Sequence, residues 1–155
     1  MNERTCCFFG HRTITVTEEL VTSLSRTIES LITEEKVNTF LFGSKSEFDS
    51  LCLNVVSKYK EIYPIKRVYV RAEYPIISKE YKDYLLTFYD GTYYPRKICG
   101  AGRAVYVERN YEVIRRSYFC VFFYDEAYFL SNPKSGTKRA LDFAIGNGKK
   151  VILIQ

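Results

Sequence analysis

No apolar run in this sequence approaches the ~20 residues that a helix needs to cross a bilayer. The charged opening Met1-Asn2-Glu3-Arg4 leads into a strand-like run rather than the apolar core of a signal peptide. No membrane association is expected, and the expected location is cytoplasmic. Histidine occurs once, at His11, and the five cysteines (Cys6, Cys7, Cys52, Cys99 and Cys120) include no Cys-x-x-Cys pair. A zinc site is therefore not expected and no metal ligand is assigned. An odd number of cysteines, several inside apolar runs, suits buried thiols in a reducing compartment better than disulfides. There is no internal repeat, low-complexity tract or linker.

With 46% hydrophobic and 26% charged residues the 155-residue chain reads as globular, and its length suits a single domain over 1–155. A net charge of +5 on 23 basic residues permits a phosphate-bearing ligand or a weak nucleic-acid contact and proves neither. Those basic residues are dispersed along the chain. The 14 tyrosines and 11 phenylalanines fall mostly in strand-like runs, which makes them core, although tyrosines beside loops could stack on a base.

The carboxyl-terminal third carries the clearest pattern. The apolar run Tyr118 to Tyr124, a polar connection, an amphipathic segment opened by Ser135-Gly136-Thr137-Lys138, and the run Val151 to Ile154 read as strand, loop, helix, strand. Apolar runs without alternation suit strands buried on both faces, and a helical crossover makes the pair parallel. The same reading gives a strand at Thr5 to Phe9, a helix over about Thr17 to Thr33, a strand at Thr39 to Phe42, a helix carrying Phe48, Leu51, Val55 and Val56, a strand at Lys66 to Val70, and a helix at Val107 to Ser117. Residues 74–104 read as an irregular, tyrosine-rich insertion, with Gly100-Ala101-Gly102 as a turn. The fold class is α/β: a Rossmann-like three-layer sandwich on a mostly parallel sheet of about five strands.

In such folds ligands sit where loops leave the carboxyl ends of the strands. Gly10, His11 and Arg12 follow the first strand, as a ligand loop or as an ordinary surface loop with Arg12 paired to Glu18. Gly43 and Ser44 follow the second. Glu47 and Asp49 fall in the next helix's first turn, either favouring the helix dipole or reaching ribose hydroxyls. Arg109 and Arg116 lie two turns apart beside Asn110, as a phosphate clamp or as partners of Glu108 and Glu112. Ser135, Gly136 and Thr137 open a helix, as a cap or as a phosphate cradle.

These pieces together (Cys6 to Arg12, Phe40-Leu41-Phe42-Gly43-Ser44 with Phe48-Asp49, Glu108-Arg109-Asn110, Ser135-Gly136-Thr137 and Lys150 to Leu153) resemble the SLOG superfamily. The resemblance is to its small stand-alone YpsA/YoqJ-like branch of Firmicutes and their phages. It spans nearly the whole chain. It implies a nucleotide-derived ligand, with no separate cofactor assigned, held by Gly10, His11, Arg12, Gly43, Asp49, Arg109, Asn110, Gly136 and Thr137. Related LOG enzymes cleave nucleotides at the glycosidic bond through a Pro-Gly-Gly-x-Gly-Thr-x-x-Glu loop. The matching stretch here, Pro133 to Ala140, lacks two of those glycines and the glutamate.

The leading expectation is accordingly a binder or sensor of ADP-ribose, a dinucleotide or a cyclic nucleotide. An alternative is an N-glycosidic hydrolase using Asp49, Glu47 or Asp125. A module for single-stranded DNA comes third, because the cations look scattered. A homodimer is compatible with the sequence and is not specified by it.

Overall fold

A computed structural model describes residues 3–123 and 136–154. Among the described residues six strands form one sheet in the order β4-β3-β2-β1-β5-β6, and every neighbouring pair is parallel. They are β1 (Thr5–Phe9), β2 (Thr39–Phe42), β3 (Lys66–Val70), β4 (Gly91–Tyr93), β5 (Phe119–Phe123) and β6 (Lys150–Ile154). The described helices are α1 (Glu18–Thr33), α2 (Glu47–Lys60), α3 (Lys79–Leu85), α4 (Val105–Arg116) and α5 (Gly136–Gly146). The fold is the expected Rossmann-like α/β sandwich, with one strand more than expected.

Alternation along the strands builds the two halves of the core. Cys6, Phe8, Phe40, Phe42 and Val121 face α1 and α2, while Cys7, Phe9, Leu41, Cys120 and Phe122 face α4 and α5. Because both faces are covered, the strands need apolar residues at consecutive positions, and β1 and β2 are buried throughout. Phe8 stacks between Phe40 and Phe42 at centroid distances of 5.8 and 5.4 Å, which locks β1 against β2.

Helix starts follow local chemistry. The hydroxyls of Thr17, Ser46 and Ser78 accept from the backbone N–H of Leu20, Asp49 and Tyr81, each capping a helix. The insertion expected to be irregular holds α3, β4 and two short 3-10 turns. Its strand is only three residues long at the sheet edge, too short to show a periodic signal. Gly100 and Gly102 take positive φ in the connection before α4, in keeping with the expected turn.

All strands run the same way, so the loops after β1, β2 and β3 gather at one rim, and the winding reverses between β1 and β5. There the Thr137 hydroxyl donates to the Gly10 carbonyl at 2.9 Å, tying α5 to the end of β1. A Cβ on Gly10 would lie 2.4 Å from the Phe48 ring, so this glycine makes room for α2. Gly10→Ala should lower stability by about 1–3 kcal/mol in urea denaturation. Gly146→Ala, which meets no described neighbour, should change it by less than about 1 kcal/mol. Equal losses for the two would contradict this packing.

Candidate functional site

A cleft of about 480 Å³ opens at the carboxyl-terminal rim, over the ends of β2 and β3 and against the first turns of α4. Arg12, Gly43, Ser44, Arg109 and Asn110, all singled out from the sequence, line it. It also takes in Lys45, Tyr69, Arg71, Glu73, Tyr81 and Tyr106, which the sequence reading did not assign.

Arg109 is the anchor. It is 5% exposed, and its Nη1 donates to the Val70 carbonyl at 3.1 Å while Nε donates to Asn110 Oδ1 at 2.9 Å. Glycine at position 43 makes that reach feasible. A Cβ there would sit 2.8 Å from Arg109 Nη1 and 2.6 Å from the Val70 oxygen. Gly43 was expected in a ligand loop; the space a side chain would need there is taken by the Arg109 guanidinium. Burial lowers the Arg109 pKa against the opposing pull of Tyr69 and Asp49, and no carboxylate lies within 4 Å of it among the described residues. A buried cation held only by neutral acceptors keeps much of its field for whatever enters the cleft.

Three more cations surround it. Arg71 is fixed by its donations to the carbonyls of Tyr74 and Pro75 and to the Thr92 hydroxyl, which also shapes the wall at residues 74–75. Lys45, at a positive φ of 58°, lies 3.8 Å from Glu73. Partial burial works against the Lys45 charge, but Tyr69 and Glu73 hold its pKa above the usual value. Arg12 is exposed and has no ion pair among the described residues. Against these four cations the lining holds one carboxylate, Glu73. A hydrogen bond to Glu73 raises the Tyr106 pKa, and burial raises that of Tyr69.

Asp49 does not reach outward to a ribose. It is 5% exposed behind Gly43 and Ser44, because the spacing Phe48, Asp49, Cys52, Val55, Val56 turns it onto the buried face of α2. Burial pushes its carboxyl up to about 7, although Arg109, the Ser44 hydroxyl and the Gly43 N–H favour the ionised form. Its Oδ1 has no hydrogen-bond partner among the described residues.

Other sequence candidates lie away from the cleft. Glu47 accepts from the Ile14 N–H at 2.7 Å, and its own N–H donates to the Arg12 carbonyl, so it clamps the β1–α1 loop onto α2. His11 is 3% exposed with its ring edge-on to Phe123 at 5.6 Å, part of the core rather than a surface loop. Thr137 bonds Gly10, and Gly136 begins the described part of α5. Arg116 does not share a clamp with Arg109. Two turns separate them by about 10 Å along the axis, which puts Arg116 at the other end of α4. There it pairs with Glu3 at 3.0 Å and lies over the Tyr93 ring at 4.8 Å. Ser135 and Asp125 lie outside the described residues. Cys6, Cys7, Cys52 and Cys120 are buried and Cys99 is exposed, all as free thiols. No group of three metal-ligating side chains occurs among the described residues.

The position of Asp49 has a pH signature. Its folded pKa lies above its ordinary value of 3.8, so the unfolded chain ionises first. The group then works increasingly against folding as pH rises from about 4 to about 7, by roughly 4 kcal/mol at most. The stability of Asp49→Asn relative to the native chain should therefore climb over that window and level off above it. A difference that stays flat from pH 4 to pH 8 in denaturant titrations would contradict the burial of an ionisable carboxyl here.

No family model matches this sequence, and no curated protein matches it. The functional reading therefore rests on the cleft itself.

Proposed function

We propose that the carboxyl-terminal cleft binds a nucleotide-derived anion, of the ADP-ribose, dinucleotide or cyclic nucleotide type, as a sensor or ligand-binding protein. The observation that carries this reading is charge. Arg12, Lys45, Arg71 and Arg109 converge on one cleft against Glu73, and the deepest of them, Arg109, is buried without a carboxylate partner. A phosphate would supply the missing counter-charge, and guanidinium groups match its geometry with paired donors. Tyr69, Tyr74, Tyr81 and Tyr106 line the same space and offer flat faces for a base and hydroxyls for ribose. Helix α4 lays its first turns on the cleft, so Asn110 adds an amide beside Arg109. The resemblance to SLOG proteins points the same way.

Cleavage of an N-glycosidic bond ranks second. That chemistry needs a carboxylate beside the anomeric carbon. Of the two carboxylates at hand, Glu73 faces Lys45 and Tyr106, and Asp49 is shielded behind Ser44. A role for Asp49 through the Ser44 hydroxyl is the feature that keeps this reading in view.

ADP-ribose should raise the melting temperature by several degrees at 100 times its dissociation constant. Arg12→Ala should abolish the shift at the same concentration while leaving the free protein as stable as before. A flat response to ADP-ribose, NAD, AMP and cyclic dinucleotides would remove the proposal. Chromatography of the same mixtures should show intact nucleotide after long incubation; release of free base would promote the hydrolase reading.

A further inference from the structure

Cations that look dispersed in sequence are gathered by the fold between the sheet's other rim and the turn after β4. Strand starts meet at that rim, and a cleft of about 480 Å³ holds Arg4, Lys36 and Lys149 together with Arg115 and Arg116 at the end of α4. A second cleft of about 570 Å³ shares Arg115 and Arg116 and continues to Arg96 and Lys97 in the turn after β4. The two adjoin as one groove. Its seven cations face three carboxylates: Glu3 pairs with Arg116, Glu112 with Arg115 and Lys97, and Glu35 with Arg4. Lys36 and Lys149 spend one donor each on the carbonyls of Thr33 and Arg115, and an ammonium group has two others.

Aromatic rings are set among these charges. Arg4 lies 4.3 Å over the exposed Tyr118 ring and Arg116 lies over Tyr93, while Tyr94 lines the groove beside them. Each ring and guanidinium pair is a flat, cationic surface on which a base can stack.

We infer that this groove is a docking surface for single-stranded nucleic acid. Its charge is drawn out along a path and does not converge on one point, which suits a chain of phosphates better than a single anion. The tyrosine rings can stack on unpaired bases, whose faces are free, and not on bases already stacked inside a duplex. The groove shares no lining residue with the carboxyl-terminal cleft, so different substitutions test the two sites.

Fluorescence anisotropy with labelled 15-mers of dT and of U tests it on the full chain. The excess of four cations sets about four phosphate contacts, so affinity should fall on the order of 50-fold between 50 and 200 mM salt. Two double variants, Arg96→Glu with Lys97→Glu on exposed side chains and Lys36→Gln with Lys149→Gln at the ends of α1 and α4, should each weaken binding several-fold while thermal unfolding stays cooperative. Arg12→Ala should bind as the native chain does. No binding at 50 mM salt, native affinity in both double variants, equal affinity for a 15-bp duplex, or loss of binding in Arg12→Ala would overturn the inference. Capture by phosphatidylserine vesicles without capture of either oligonucleotide would overturn it in favour of a lipid surface.

Discussion

One contact organises the carboxyl-terminal rim: the Arg109 guanidinium passes the backbone of Gly43 to reach the carbonyl of Val70. It ties α4 to the ends of β2 and β3, and any side chain at position 43 would block it. The guanidinium is bought into the interior by hydrogen bonds to neutral acceptors, and its charge stays uncompensated by any carboxylate within 4 Å among the described residues. Asp49, on the other side of Gly43 and Ser44, feels that charge and still titrates near neutrality, because burial outweighs the attraction. Desolvation thus dominates both groups. An anion entering the cleft would add what the protein leaves out.

A parallel sheet has two chemically different rims, and this chain uses the difference. At the carboxyl-terminal rim the cations are few and convergent, with a buried arginine at the centre. Starting from the amino-terminal rim, a more numerous set is drawn out along a groove past the end of α4 to the turn after β4. Neither arrangement can be inferred from the net charge of +5, which is the same whether cations are dispersed or gathered.

The strands β1, β2, β3, β5 and β6 were legible as apolar runs because both faces of the sheet are covered, and α1 and α2 as amphipathic repeats behind capping hydroxyls. Strand β4 was not legible, since three residues at an edge carry no period. Gly10 and Gly43 were singled out as loop residues at strand ends, but the close approach each allows is to a side chain distant in sequence, Phe48 or Arg109. The inward turn of Asp49 was readable in principle, for it shares the helical face of Cys52 and Val56. Arg71 and Glu73 could have been found by applying the strand-end rule to β3 as it was applied to β1 and β2. Tyr81 could not, because only the fold of residues 74–104 brings it to the rim, whereas Tyr106 sits one turn before Arg109 on the same face of α4.

The most direct test of the account is chemical-shift mapping by NMR with ADP-ribose on the uniformly labelled chain. Amide perturbations should concentrate at Gly43, Ser44, Lys45, Arg71, Glu73 and Asn110, with those at Thr5, Asn38 and Ser117 unmoved. Perturbations centred on the amino-terminal rim, or none at millimolar ligand, would contradict the assignment of the cleft beside Arg109 as the ligand site.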